Sequence, residues 1–204
     1  KHNPPFLPSL MLEIQRMSRL MMPLAVFGLL LCSVVSAKET DSKGLKTGDQ
    51  LGAFYVTKVA GADDDGVEKG EKLCYRCKWG SRPMVMVFAR DTGGNVGELV
   101  KEINAAVKAN QEADLKGLVT LLGEDDATLK ETAAKVSAST GASMIPVVVA
   151  SDHVTGPSNY KIDEKAAVTV VLANESSVVM ARKFNKADKV NVAAVMKAVN
   201  KMLN

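Results

Sequence analysis

Short apolar runs alternate along the chain with stretches in which apolar residues recur every three or four positions. A continuous apolar run next to a chain breaker predicts a strand buried on both faces, whereas the wider spacing predicts an amphipathic helix. The run at 84–88, directly after Pro83, is the clearest such strand. Further strands are predicted at 54–59, 118–122, 145–150, 168–173 and 177–184.

Three helices are predicted between and after these strands. Asp126 is expected to cap the second helix, which ends before Gly141, and the third helix begins near Asp188. The apolar stripes comprise Leu99, Ile103, Ala106 and Val107 in the first helix, Leu129, Ala133 and Val136 in the second, and Val192, Val195, Met196, Val199 and Leu203 in the third.

The order of these elements predicts an α/β fold. Buried strands that alternate with helices indicate a parallel central sheet. The last two strands predict a β-hairpin, because Asn174 between them tolerates the positive φ of a tight turn. The result is a central mixed sheet flanked by helices, with a C-terminal β-hairpin at one edge and a C-terminal helix that closes one face.

The N-terminal segment predicts a secretion signal. Arg19 precedes an apolar run at 20–35, and a small-residue cleavage site ends at Ala37. Processing before Lys38 would give an exported protein, periplasmic or extracellular, that has no membrane contact after cleavage. A transmembrane anchor is the alternative, because the uncharged run at 20–37 has 18 residues, near the lower limit for a bilayer span.

The chain therefore divides into three parts. Residues 1–37 form the signal peptide with an upstream extension, since a start at Met17 would give a compact signal. Residues 38–48 are polar and small and predict a linker, and residues 49–204 predict one globular domain. The formal charge of the chain is +3, of which the first 37 residues carry +2. The nearly neutral remainder has no electrostatic footprint for nucleic acid.

The candidate chemistry lies in a C-x-x-C pair, Cys74 and Cys77. Cys32 falls in the predicted signal, so the exported chain keeps these two cysteines, and an oxidising compartment favours a disulfide between them. Nearby cations favour a thiolate and hence a thiol–disulfide oxidoreductase whose partners are protein thiols or disulfides. The alternative is a non-catalytic binding or scaffold module in which the pair is structural. The cations are Lys72, Arg76, Lys78 and Arg82.

Metal, cofactor and calcium sites find less support in the sequence. A metal site would need more soft ligands than one C-x-x-C, and His153 is the one histidine after residue 37, so neither a metal nor a cofactor is expected. The aspartates at 63–65 lack the spacing of a calcium loop and predict a solvated turn. Tyr75 and Trp79 either form an apolar contact surface or pack over the sheet edge.

The element order over residues 45–204 resembles the thioredoxin-like superfamily in its redoxin or peroxiredoxin-like form. The resemblance implies that 84–88 is the central strand and that redox cysteines would follow it, at the start of the next helix. The segments that carry the resemblance are MVMVFAR at 84–90, IPVVVASD at 145–152, YKI at 160–162, VTVVL at 168–172 with its hairpin to 184, and CYRC at 74–77.

The chain departs from this family pattern at the site itself. Asp-Thr-Gly-Gly-Asn occupies 91–95 without a cysteine, and the C-x-x-C lies ahead of the central strand. A peroxidatic cysteine is therefore missing, and Ala166-Ala167 stands where the resemblance implies a cis-proline before the hairpin. Cys74 and Cys77 remain the candidate catalytic residues, and we expect them to lack the support of a helix N-terminus.

Overall fold

The computed structural model describes residues 44–204. Within this range the chain forms seven strands and four α-helices, together with two short 3₁₀ turns at Ser158–Tyr160 and Ala187–Lys189. In chain order the elements are β1 (Val56–Ala60), β2 (Lys72–Leu73), α1 (Tyr75–Trp79), β3 (Met84–Ala89), α2 (Val96–Ala109), β4 (Lys116–Leu121), α3 (Asp126–Thr140), β5 (Val147–Ala150), β6 (Val168–Asn174), β7 (Ser177–Phe184) and α4 (Val192–Leu203).

The seven strands form one mixed sheet in the order β2-β1-β5-β4-β3-β6-β7. The pairs β3–β4 and β4–β5 are parallel, and the other neighbours are antiparallel. Every residue of β3 is buried, because the strand has neighbours on both edges and side chains packed on both faces. The prediction of a buried central strand at 84–88 and of an α/β architecture is confirmed.

The two faces of β3 belong to different hydrophobic clusters. Val85, Val87 and Ala89 point towards α2, α3 and α4, whose apolar stripes complete one core. Met84, Met86 and Phe88 point to the opposite face, where Tyr75 and Trp79 of α1 cover the sheet. Helix α1 and helix α2 therefore lie on opposite faces.

Several local details differ from the predictions. The second helix is capped by Asp125, whose Oδ2 accepts from the Thr128 N–H at 2.7 Å, and not by Asp126. In the hairpin the positive φ angles belong to Glu175 and Ser176, since Asn174 still pairs in β6. The C-terminal helix begins later than residue 188, because a 3₁₀ turn comes first. The strand β2 and the helix α1 were not predicted.

The predicted signal peptide, 1–37, lies outside the described residues. Between residues 44 and 204, no helix is long and apolar enough to cross a membrane.

Candidate functional site

The cysteine pair follows the short edge strand β2. Leu73 pairs with Val56 of β1, and the chain then enters α1 with Cys74 as its N-cap in an extended conformation. Cys74 and Cys77 are joined by a disulfide. The Cys77 N–H also donates to Cys74 Sγ at 3.1 Å. The expectation that the pair lacks a helix N-terminus is therefore wrong, although a five-residue helix carries only a small dipole and the individual N–H contact matters more.

The two cysteines differ in their access to solvent. Cys74 is 7% exposed, because it lies where β2 turns onto the face of the sheet. Cys77 is exposed, one helical turn later. The disulfide thus presents mainly one of its two residues to other molecules.

The aromatic residues of α1 hold the helix against the sheet. Tyr75 and Trp79 are both buried, and their ring centroids lie 5.0 Å apart. They belong to the cluster that contains Met84 and Met86 of β3. These aromatics pack on the face of the sheet next to β3, and not over its edge as one interpretation predicted, and the alternative of an exposed contact surface is wrong.

A buried polar network lies behind the pair. Lys58 is 1% exposed, and its Nζ donates to Asp65 Oδ1 at 2.7 Å and to the carbonyl oxygens of Ala62 and Val67 at 2.8 Å. Asp65 Oδ2 accepts from the Tyr75 hydroxyl at 2.7 Å. All three ammonium protons have acceptors, which is what allows a lysine to be buried. The network connects β1 and the turn at 61–70 to the residue that follows Cys74.

The network also affects the ionisation of Tyr75. Burial raises the pKa of the Tyr75 phenol, and the hydrogen bond to Asp65 raises this pKa further. The hydroxyl therefore stays protonated and keeps donating throughout the physiological pH range.

This network was not predicted from the sequence. A signal for it was present, because side chains alternate between the two faces of a strand. Residues 54, 56, 58 and 60 share one face, so Lys58 lies on the same side as the buried Phe54 and Val56. The prediction of a solvated turn holds for Asp63 and Asp64, which are exposed, but is wrong for Asp65, which is half-buried and bonded on both carboxylate oxygens.

The four cations predicted to surround the pair are not equivalent. Arg82 forms an ion pair with Asp114, and its Nη1 donates to the Trp79 carbonyl at 2.7 Å. Hydrogen bonds from Lys116 and then Arg82 lower the pKa of the Asp114 carboxyl, so this pair persists at neutral pH. Within residues 44–204 no ion pair is formed by the other three cations, Lys72, Arg76 and Lys78. Of the four cations near the pair in sequence, Arg82 is therefore the one whose charge is offset by an ion pair.

A cleft of about 780 Å³ opens beside α1, near the N-terminal ends of β4 and β5. Neither cysteine lines it. Its charged lining is balanced, with three carboxylates and three cations, so it has no preference for the sign of a ligand. These charged residues are Asp64, Asp65, Asp114, Lys78, Arg82 and Lys116.

Comparison with known proteins assigns the fold. In sequence, no family model and no curated protein matches the chain. In structure, a protein of Chlorobium tepidum proposed to be the thiol:disulfide interchange protein DsbE matches with a TM-score of 0.58 at 15% identity, over 78% of this chain and 99% of that one. AhpC of Mycobacterium tuberculosis matches with a TM-score of 0.58 at 12% identity, over the same shares. The chain has a thioredoxin-like fold.

A third match has the same extent. The thioredoxin domain of a thiol-disulfide oxidoreductase from Bacteroides vulgatus matches with a TM-score of 0.55 at 12% identity, over 78% of this chain and 99% of that domain. At such identities the likeness shows the thioredoxin-like fold and not the activity. The resemblance of the sequence to this fold is confirmed over the central strand, the inserted strand β5 and the terminal hairpin.

The segment after β3, where the resemblance places redox cysteines, is here a structural loop. Asp91 Oδ1 accepts from the Gly93 N–H at 2.8 Å, and Asn95 Nδ2 donates to the carbonyls of Asp188 and Val190. Gly94 has φ +51°, and a Cβ there would lie 2.5 Å from the Asp188 nitrogen, so the loop packs directly on the turn before α4.

The segment before the hairpin faces this loop as the resemblance implies. The Ala167 carbonyl accepts from the Arg90 and Asp91 N–H groups at 2.8 and 3.3 Å. An alanine thus stands where the redoxin pattern would bring a proline against the cysteines. The pair Cys74 and Cys77 belongs to α1, on the opposite face of the sheet from α2, so it does not occupy the position that the resemblance implies.

His153 is held in the loop after β5. Its Nδ1 lies 2.8 Å from the Gly123 carbonyl oxygen. No group of three His, Cys, Asp or Glu side chains in residues 44–204 is arranged to hold a metal ion.

Proposed function

We propose that this chain is an exported thioredoxin-like thiol–disulfide oxidoreductase that acts through a reversible Cys74–Cys77 disulfide. The observation that carries the proposal is the geometry of the pair: a disulfide whose Cys77 is exposed and whose Cys74 Sγ accepts an N–H at 3.1 Å. An exposed disulfide is accessible to thiol–disulfide exchange. A hydrogen bond accepted by a sulfur stabilises its thiolate form.

Electrostatics support the same chemistry. Lys72, Arg76 and Lys78 lie next to the pair in sequence and have no ion-pair partners in the described part of the chain, and cations near a thiol favour the thiolate. The negative charge of Asp65, which is hydrogen-bonded to Tyr75 next to Cys74, is neutralised by its ion pair with Lys58. Partners of such a site are protein thiols or disulfides, as the thiol–disulfide oxidoreductases among the structural matches suggest.

Export is part of the proposal. The basis is the positive residue Arg19, the apolar run at 20–35 and the small residues that end at Ala37. Outside the cytoplasm a C-x-x-C persists as a disulfide until a reductant reaches it. N-terminal sequencing of the exported protein should find Lys38 first, and a chain that starts at Met17 or earlier would remove this part of the proposal.

A non-catalytic module with a structural disulfide is the second candidate. It is favoured by the position of the pair, which lies away from the usual redoxin loop and next to a helix held by the buried Tyr75 and Trp79. A disulfide across so short a loop adds little stability through chain entropy, because that contribution grows with loop length. Its role would then be to shape the segment ahead of β3.

A glutathione redox titration separates the two candidates. The full chain is used with the Cys32→Ser change, so that Cys74 and Cys77 are its only thiols. We expect an intermediate reduction potential and an insulin reductase activity that both Cys74→Ser and Cys77→Ser abolish. A disulfide that survives a strongly reducing glutathione buffer supports the structural module instead. Two thiols that never pair exclude the proposed enzyme.

A further inference from the structure

The two sulfurs of the pair have different roles. On the basis of the proposed function, we infer that Cys77, and not Cys74, is the residue that forms the mixed disulfide with a partner. A thiolate can attack a disulfide at either sulfur, and access decides between them when one is covered. Cys74 is 7% exposed, whereas Cys77 is exposed.

Cys74 is held in its buried position by the residues that follow and precede it. Tyr75 is fully buried, and its hydroxyl donates to Asp65 at 2.7 Å. On the other side, Leu73 pairs with Val56 in the sheet. Exposing Cys74 would require both contacts to break, so an attack at Cys74 carries the cost of local unfolding.

The hydrogen bonding of the sulfurs assigns the complementary role to Cys74. Its Sγ accepts from the Cys77 N–H at 3.1 Å, and the negative charge that develops on a leaving sulfur strengthens such a bond. A leaving thiol with a lower pKa departs faster. Cys74 is thus suited to leave when Cys77 is attacked, and to attack Cys77 again when the cycle runs backwards.

The exchange balances with a partner dithiol as the reductant. A partner thiolate attacks Cys77 Sγ, the Sγ–Sγ bond breaks, and its electron pair leaves on Cys74 Sγ. A second partner thiolate attacks the partner sulfur of the mixed disulfide and releases Cys77 as a thiolate. The partner becomes a disulfide, the pair gains two electrons, and the partner protons pass to solvent or to the cysteines. With a partner disulfide as oxidant the same steps run in reverse.

The mixed disulfide can be located directly. The full chain with Cys32→Ser is treated briefly with reduced glutathione, acid-quenched, alkylated and digested with trypsin. Cleavage after Arg76 separates the two cysteines into different peptides, so mass spectrometry reports which one carries glutathione. We expect glutathione on Cys77 in about tenfold excess over Cys74, because buried thiols exchange slowly.

Single-cysteine variants provide a second, kinetic measurement. Reduced Cys74→Ser, which retains Cys77, should react with glutathione disulfide about tenfold faster than Cys77→Ser, which retains Cys74. Where a variant fails to fold, the peptide mapping of the intact pair decides alone.

The outcomes distinguish the inference from the function on which it rests. Glutathione found mainly on Cys74, or equally on both cysteines, overturns the inference and leaves the proposed exchange intact. A pair that forms no mixed disulfide and stays oxidised overturns the proposed function, and the inference with it.

Discussion

The Tyr75 hydroxyl donates a 2.7 Å hydrogen bond to Asp65 Oδ2, which connects the residue after Cys74 to the turn between β1 and β2. The opposite oxygen of Asp65 is bound by the buried Lys58 ammonium. The helix that carries the cysteine pair is therefore held by a charged hydrogen-bond network and not only by apolar packing. This arrangement explains how a helix of five residues keeps its position on the sheet.

Tyr75→Phe should destabilise the protein without changing the shape of the core. The change leaves one Asp65 oxygen without its donor, and a hydrogen bond to a charged group contributes about 1.5–3 kcal/mol to the free energy of unfolding. Urea denaturation measures the loss. Tyr55→Phe is the matched control, since Tyr55 is exposed and should show no change. Equal stability of the two variants would contradict the importance of the Asp65 bond.

The stability of the domain should fall in acid partly through Asp163. The Lys183 Nζ lies 2.7 Å from Asp163 Oδ2, and this hydrogen bond, followed by that from the Lys165 N–H, lowers the pKa of the Asp163 carboxyl. A carboxyl whose pKa is lowered by folding stabilises the fold fully above its unfolded pKa, and this contribution is lost as the pH falls through the folded pKa.

Asp163→Asn should therefore flatten the acid limb of the stability curve. The measurement is the free energy of unfolding between neutral pH and pH 3 for the wild type and the variant. The neighbouring Glu164 is exposed and serves as the control through Glu164→Gln, which should keep the wild-type slope. An Asp163→Asn curve parallel to that of the wild type would show that the pair with Lys183 does not contribute.

Anionic disulfides should react faster with the pair than cationic ones. Lys72, Arg76 and Lys78 give the site a positive potential that attracts anions at low ionic strength. Exchange of the reduced protein with glutathione disulfide should slow as salt is added, whereas exchange with cystamine should not. Lys78→Gln should reduce the salt dependence, and Lys101→Gln, an exposed change on α2, should leave it unaltered. A rate with glutathione disulfide that is independent of salt would contradict this prediction.

The loop at the usual redoxin position should be silent in thiol chemistry. Asp91 accepts the Gly93 N–H and lies on a loop without cysteine. Asp91→Ala should keep the reductase activity within a fewfold of the wild type, while Cys77→Ser removes it. Insulin reduction measures both variants. A large loss with Asp91→Ala would mean that the loop takes part, for example as a proton carrier.

The sequence predicted the architecture well because its signals are local. A continuous apolar run identifies a buried strand, and apolar residues three or four positions apart identify a helix, whatever the rest of the chain does. The central strand β3, the helices α2 to α4 and the hairpin were predicted on this basis. The cap of α3 was predicted to within one residue, Asp126 in place of Asp125, whereas the start of α4 was predicted four residues too early. Short elements such as α1 were not predicted, because five residues are too few to show the periodicity of a helix.

The sequence by itself determined the composition of the site. It has two cysteines in C-x-x-C spacing with cations near them, and the loop after β3 has no cysteine. The tertiary structure decided that Cys77 is exposed and Cys74 is buried, that Arg82 pairs with Asp114, and that Lys58 and Tyr75 share Asp65 as an acceptor. Burial and ion pairing depend on which distant segments pack together, and Arg82 and Asp114 are 32 residues apart. Such contacts cannot be derived from residue type and spacing. The different roles of the two sulfurs therefore follow only from the folded structure.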